Sequence, residues 1–478
     1  MFLLLLLLQL FLTGQSTAAL FPPNNATTHS AALHACDQLQ SSLGSSIVQT
    51  TGKEYQAGAT NAWNLQNCQY QPTCIVFPRT SAHVQTAMKA IYSTGSHYAV
   101  QAGSHSAMKG WNTVQDGVLI LFTYMKNVSY DPKTDSITLQ PGIRWQEAVT
   151  ALEPFGVAPV GGKDVGTGLL LGGGISFLSP SQGYAADNFK ALDVVLVNGE
   201  MVTATASNKY SDLFRALKGG GNRFGIYNSS ATEALLKATA RYTREVNDPN
   251  AVLLVALNNI GGEFFSFAGM FYRGSELPAH IFGHFLSIPA VPCSPLNSTV
   301  CSPPPPLGPM SYLDVMATQG SENQRGSVQH FGASALDGAD EDAYLAAFKH
   351  WSNFTATFKD EFALAGMAFT PIPESQVQAG RAKGGNVIAP PRGGWAAVQF
   401  GEEMKAGVKD VPSRVQKGLD LLFEQVPPSP RLPLYLGESD PQQKVFQSYG
   451  DYELLKQIYT KYDPTRFNMA HTQGPGGL

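Results

Sequence analysis

Three glycine-rich clusters hold the residues whose types and spacing could do chemistry. Pro159–Gly174 reads PVGGKDVGTGLLLGGG, and seven of its sixteen residues are glycine. Without Cβ atoms, such a run lets backbone N–H groups approach a ligand closely and form an anion nest suited to a pyrophosphate. The spacing is not that of a GxxxxGK[ST] phosphate loop, nor of a GxGxxG turn between a strand and a helix. On glycine alone, a structural loop competes with a phosphate cradle. The second cluster, Ala102–Ser106 (AGSHS), directly follows a strand-like run and offers His105 as a base, a ligand or a covalent attachment point. A solvated loop histidine is the competing reading. The third, Ser211–Gly225 (SDLFRALKGGGNRFG), is a helix running into three glycines.

These clusters need elements to position them. From Cys36 to Asn222 short β-like runs alternate with helical stretches. The strands are Cys74–Phe77, Tyr98–Gln101, Gly117–Phe122, Ser136–Leu139 and Leu192–Val197. Ser81–Tyr92 carries an apolar stripe at helical spacing behind a Ser cap, and Arg144–Glu153 and Ser211–Leu217 read as further helices. From Thr232 onward the texture changes. Thr232–Val246 is helical, Val252–Leu257 and Phe264–Phe271 are strand-like, and Asp340–Glu361 and Pro412–Glu424 are amphipathic helices. Pro292–Pro309 is a proline-rich surface loop, and Tyr449–Tyr462 is a helix stopped by Asp463–Pro464.

Taken in order, the clusters resemble the flavin-linked oxidases of the vanillyl-alcohol oxidase superfamily, and within it the berberine-bridge-enzyme-like branch. The resemblance rests on PTCIVFP (72–78), QAGSHS (101–106), PGIRW (141–145) and GGKDVGTGLLLGGGIS (161–176). It continues through GYAADN (183–188), VVLVNG (194–199), DLFRALKGGGNRFG (212–225) and YTKYDPTRF (459–467). It implies an α+β, two-domain PCMH-type FAD-binding fold with an inserted α+β substrate domain. The implied boundaries are an FAD domain over 30–240, a substrate domain over 241–435, and a segment 436–478 returning to the FAD domain. The resemblance further implies FAD, bonded through its 8α-methyl to His105. A cysteine supplies a second bond in some members, but Gly161–Thr167 contains none, so a single histidyl link is expected. Gly103, Ser104 and Ser106 would meet the pyrophosphate side, and Gly166, Gly168, Gly172 and Gly173 the phosphates or ribityl chain. Asp187 and Asn188 would close a turn that braces this site, or serve as a purely structural turn.

The substrate side carries less information. The family's Tyr-X-Asn motif corresponds to PLYLGE (433–438), where Tyr435 matches the Tyr and Gly437 replaces the Asn. Tyr435 is thus the candidate catalytic base, against the reading of a packed core tyrosine. Its ordinary pKa of about 10 requires help from neighbours. Glu402, Glu403 and Glu438 are further candidates, each expected as a solvated carboxylate. After FGI (224–226) the family continues with a VTRF-type strand, whereas this chain passes directly into YNSSATEALLKATARY. That predicts a missing linking strand, through a true deletion or a mispredicted exon junction.

Composition bounds the remainder. Only 14% of the 478 residues are charged, against about 25% in an average domain, while glycine (47) and proline (31) are in excess. A hydrophobic share of 43% supports a large core, so global disorder is excluded, and the net charge of -4 without a basic block argues against nucleic acid. Residues 1–19 read as a secretory signal peptide, too short in apolar length to span a bilayer. Sequons at Asn25, Asn127, Asn228, Asn297 and Asn353 and the cysteine pattern agree with export. Cys293 and Cys301 bracket a loop they could close, while Cys36, Cys68 and Cys74 predict one disulfide and one free thiol. No metal motif occurs. The expectation is a secreted, glycosylated FAD-linked oxidase of a small molecule with O2 as electron acceptor, with no membrane attachment after signal cleavage. The substrate would be a specialised metabolite or a carbohydrate, and a degenerate, non-catalytic flavin or ligand binder is the rival.

Overall fold

The computed structural model describes residues 26–162, 166–218, 232–288, 309–317 and 325–475. Two sheets with separate cores organise it. In the first, β1 (Val48–Gln49), β2 (Cys74–Val76), β3 (Tyr98–Gln101) and β4 (Val118–Leu121) lie in the order β1-β2-β4-β3. Strands β2 and β3 run parallel to β4, and β1 pairs antiparallel with β2. The runs CIV and VLIL are buried throughout, as helix-covered parallel strands require. One face packs on Leu39 and Ile91 from the helices Ala26–Leu43 and Ser81–Thr94, with Phe467 from the C-terminal segment. The other face packs on Tyr55 and Ala59 of the helix Gly52–Ala59.

The helix Ser81–Thr94 is capped by Thr80, whose side chain accepts from His83 N–H, and not by Ser81 as expected. Its end falls at Gly95 with φ 69°, a left-handed position glycine adopts without a steric penalty. Cys36 is bonded to Cys74, tying the first helix to β2, and Cys68 is the free cysteine among the described residues. The expected split into one pair and one thiol is therefore observed.

Two hairpins follow, β5 (Val128–Asp131) with β6 (Ser136–Leu139) and β7 (Ala191–Val195) with β8 (Met201–Thr205). The second sheet comprises β9 (Ala251–Ile260), β10 (Glu263–Tyr272), β11 (Gln329–Asp337), β12 (Phe362–Ile372) and β13 (Trp395–Met404). Its order is β10-β9-β12-β13-β11, antiparallel throughout. Side chains alternate across it. Val255, Leu257, Met367, Phe369, Val398 and Phe400 enter the large core with Leu236, Trp351 and Leu419. Those last three come from the helices Thr232–Glu245, Glu341–Thr357 and Ser413–Gln425. The opposite face is lined by small residues, among them Ala256, Ala333, Gly366, Ala368, Ala397 and Gly401. The C-terminal helix Tyr452–Tyr462 returns to the first half of the chain, where Arg215 pairs with Asp451 and Lys461 with Asp212.

The signal segment, the strand expected to be missing after Ile226, the glycines of KGGGNRFG, Lys163–Val165, Cys293 and Cys301 lie outside the described residues. So do the sequons at Asn25, Asn228 and Asn297. Asn127 and Asn353 are exposed.

Candidate active site

The His105 loop follows β3, and three sequence-distant segments close on it. Gly166 crosses the loop so tightly that a Cβ there would lie 2.4 Å from both N and Cα of Gly103. The two clusters that the sequence separates by some sixty residues are therefore in backbone contact. The glycine run is fixed in turn by Thr167 Oγ1 donating to the Pro141 carbonyl (2.8 Å) and by a bridge between Gly166 and Arg144. Gly161 lies against Trp145, where a Cβ would fall 2.2 Å from the indole. Further on, Ala186 N–H donates to Gly173 O and Ala185 N–H to Gly174 O, joining the run to GYAADN. Gly173 (φ 102°) needs its left-handed backbone for this turn. Gly168 has no such crowding: a Cβ there meets only Ala102 Cβ, at 3.9 Å. Gly172 is buried within the short helical turn Thr167–Gly172.

Ser104 holds φ at 64°, a left-handed conformation that costs a non-glycine residue roughly 1–2 kcal/mol. Its carbonyl accepts from Trp63 N–H (3.1 Å), Ser106 N–H (3.1 Å) and Asn112 Nδ2 (2.9 Å), which is how the surroundings hold it there. Ser106 Oγ accepts from Met108 N–H (3.2 Å). His105 itself is half-buried, its ring stacked on Trp63 with centroids 4.3 Å apart and planes 18° from parallel. Trp63 also touches Phe331 of β11, at 5.6 Å.

Phe331 belongs to the small-residue face of the second sheet, so that face is turned toward the His105 loop. At its centre Gln399 stands opposite Ala368 on one side and Ala333 on the other. Gln399 is 2% exposed and its Nε2 has no hydrogen-bond partner. Gln329 Nε2 and Trp63 Nε1 are likewise buried without a partner. Burying an amide donor unpaired costs about 1–3 kcal/mol, so these donors fit a site that receives acceptor atoms from a bound molecule. Sequence reasoning missed Gln399 and Trp63; the alternation of AAVQFGEEM could have flagged Gln399 as a polar residue inside a buried strand.

Tyr435 packs at the end of this same face, against Trp395, Ala397, Ala335 and Ile372, and is 3% exposed. The glutamates differ from expectation. Glu402 and Glu438 are buried, at 0% and 1% exposure, so neither is a solvated carboxylate, while Glu403 is half-buried. Glu402 is on the opposite, helix-covered side with Phe400 and Met404. It survives there because His330 Nδ1 meets its Oε2 at 3.2 Å, while His330 Nε2 meets Asp440 Oδ2 at 2.8 Å. Burial alone would discharge the imidazole, but the bonds to Asp440 and Glu402 outweigh it and push its pKa up to about 9. Burial also pushes the Glu402 carboxyl upward.

Asp187 and Asn188 build a brace. Asp187 Oδ2 accepts from Tyr184 N–H (2.9 Å) and Oδ1 from Asn386 Nδ2 (3.0 Å), and Lys383 Nζ donates to Asn188 Oδ1 (2.6 Å). Burial raises the Asp187 pKa despite these bonds and the nearby Lys218. A cavity of about 330 Å³ lined by Arg241, Tyr242, His280 and His284 opens elsewhere, behind the helices that cover the second sheet. It shares no residue with the His105 surroundings. No group of metal-ligating side chains occurs among the described residues, and no described helix is long and apolar enough to cross a membrane.

Residues 72–205 match the FAD binding domain family, spanning the first two of the three glycine clusters. An FAD-linked oxidoreductase of Arthroderma benhamiae is 27% identical over 430 residues, covering 84% of this chain and 82% of its own. The carbohydrate oxidase of Microdochium nivale superposes with a TM-score of 0.75 at 19% identity, over 93% of this chain and all of its own (100%). Berberine bridge enzyme superposes with a TM-score of 0.71 at 13% identity, over 94% of this chain and 99% of its own. The contact between the His105 loop and the glycine run, inside a matched FAD-binding domain, makes FAD the cofactor. The chain is an FAD-linked oxidoreductase with the fold shared by carbohydrate oxidase and berberine bridge enzyme.

Proposed function

We propose that this enzyme carries FAD on His105 and oxidises a small hydroxylated metabolite, with O2 as the final electron acceptor. Residues 30–240 and 436–478 form the FAD domain in this reading, and 241–435 the substrate domain. Gly103, Ser104, Ser106, Gly166, Gly168, Gly172 and Gly173 hold the cofactor's phosphate and ribityl portions with backbone and hydroxyl groups. FAD supplies the hydride acceptor and its reoxidation by O2.

The protein's own contribution is placement. The observation that carries the reading is the small-residue sheet face turned toward His105, with the unpaired amide of Gln399 at its centre. Substrate would lie against this face of short side chains, where Gln399 Nε2 donates to a substrate oxygen so that one C–H faces the cofactor. The surrounding apolar side chains exclude water. Tyr435, at the end of the same face, is the group positioned to take the hydroxyl proton, and lowering its pKa falls to the substrate and cofactor. Gly437 in place of the family's Asn departs from the sugar-oxidising pattern, which favours a specialised metabolite over a carbohydrate. The apolar leader and the exposed Asn127 and Asn353 support secretion and glycosylation.

The test is anaerobic mixing of the purified flavoprotein with panels of aromatic and alicyclic alcohols and of mono- and oligosaccharides. Bleaching by an alcohol, reversed by air, is expected. Bleaching by sugars alone would replace the metabolite reading with the carbohydrate one, and bleaching by neither panel would favour the non-catalytic binder.

A further inference from the structure

Arg325 stands just before β11, far from every glycine cluster in sequence, yet it reaches the loop that carries His105. Its Nη1 donates to the Asn61 carbonyl at 2.7 Å and its Nη2 to Ser104 Oγ at 3.1 Å. The two acceptors belong to the two segments that enclose the histidine. Asn61 begins the stretch containing Trp63, which stacks on His105, and Ser104 is the left-handed residue immediately before it. The planar guanidinium fork spans both acceptors at fixed geometry, which an ammonium cannot reproduce.

The contact is one of a series. Leu65 N–H donates to Ser327 O (3.0 Å). The fully buried Asn64 donates from Nδ2 to Ala107 O (2.7 Å) and Gln329 O (2.9 Å), and accepts Gln329 N–H at Oδ1 (3.2 Å). Residues 325–331, leading into the second sheet, therefore clasp 61–65, and 61–65 clasps 102–107. The left-handed backbone at Ser104 is held through its carbonyl by Trp63, Ser106 and Asn112, and its hydroxyl is held by Arg325, from the segment that leads into the other sheet. If the clasp opens, Ser104 relaxes and the histidine after it turns away.

From this we infer that Arg325 is a positioning residue for the attachment histidine, presenting His105 to FAD only when the second sheet is docked. The inference rests on the reading of His105 as the flavin-bearing residue. Covalent loading is then a check on correct assembly of the two halves.

The test compares wild type, Arg325→Met, Arg325→Lys and the double variant Ser104→Gly/Arg325→Met. Each is scored for flavin retained after acid denaturation and for hydrogen exchange of the amides of residues 103–107 in the FAD-bound protein. Arg325→Met is expected to lower the acid-stable flavin fraction several-fold and to speed exchange in the loop about tenfold. Arg325→Lys should fall between it and wild type. Glycine at position 104 adopts a left-handed backbone freely but lacks the hydroxyl offered to the cofactor, so the double variant should recover part of the acid-stable flavin and of the slow loop exchange lost in Arg325→Met; a merely structural arginine would show no such rescue. Wild-type values in Arg325→Met, or loss in both variants without rescue by glycine, would overturn the inference. If wild-type protein itself releases all its flavin in acid, the covalent reading fails, and loop exchange alone then decides whether Arg325 positions His105.

Discussion

The indole of Trp63 lies face to face with the imidazole of His105, 4.3 Å between centroids and 18° from parallel. An aromatic pair of this kind is worth about 0.5–1.5 kcal/mol beyond simple burial, enough to bias ring orientation two- to tenfold. Trp63→Phe should keep most of the flavin on the denatured polypeptide, whereas Trp63→Leu should lose a clear fraction. In-gel flavin fluorescence, normalised to protein, checks the difference.

Gly166 has an ordinary extended backbone (φ -72°), so alanine would meet no strain there. The obstacle is contact with the Gly103 backbone at 2.4 Å, which cannot swing aside as a side chain would. Gly166→Ala should force the two loops apart, destabilise the protein by roughly 1–3 kcal/mol and sharply reduce bound FAD. Gly168→Ala, facing only Ala102 Cβ at 3.9 Å, should retain stability. Flavin-to-protein absorbance ratios and thermal melts of the two variants separate these outcomes.

Gln399 predicts an opposite movement of stability and function. Its Nε2 is buried without a partner, so Gln399→Leu removes a polar group that costs about 1–3 kcal/mol in the substrate-free protein. The variant should melt at or above the wild-type temperature. With any substrate found to bleach the flavin, it should show a KM raised about tenfold or more.

His330 sets a pH dependence. Its folded pKa of about 9 exceeds the ordinary value near 6.5, so the folded state holds a proton that the unfolded chain releases between those values. That stabilisation is fully present below about pH 6.5 and is lost as pH rises through 9. The raised Glu402 acts in the same direction above the usual glutamate range. Urea unfolding from pH 6 to 9.5 should show this decline in wild type and a flatter profile in His330→Gln. Because that variant leaves Glu402 and Asp440 buried without their cation, it should also lose about 3–5 kcal/mol near neutrality.

The Cys36–Cys74 bond closes a sequence separation of 38 residues. In the chain-entropy model a loop of this size contributes about 4 kcal/mol, so Cys36→Ala/Cys74→Ala should lower the unfolding free energy by that order. Denaturant unfolding of the double variant measures it.

Local signals made the first half of the chain readable. CIVF, YAVQ and GVLILF lie within a few residues of β2, β3 and β4, because buried parallel strands leave continuous apolar runs. His105 and the glycines stood out for the same reason: backbone contacts such as Gly166 on Gly103 tolerate no other residue, so composition records them. The second sheet was less visible. QHFGASALD and WAAVQFGEEM mix small, polar and charged residues because one face carries short side chains and Gln399 while the other buries the His330–Glu402 pair. Glu402 looked solvated because its compensating cation lies 72 residues away. Arg325 was invisible for a similar reason, its acceptors lying 264 and 221 residues distant. Long-range pairing leaves no spacing to read.

The central claim is a flavin fixed to His105, and peptide mapping tests it most directly. Wild-type protein is precipitated in acid, washed, digested and analysed by mass spectrometry alongside His105→Ala. The prediction is FAD mass on the peptide containing AGSHS in wild type, and free, acid-extractable FAD in the variant. Acid-extractable flavin from wild type, or flavin on another residue, would contradict the account.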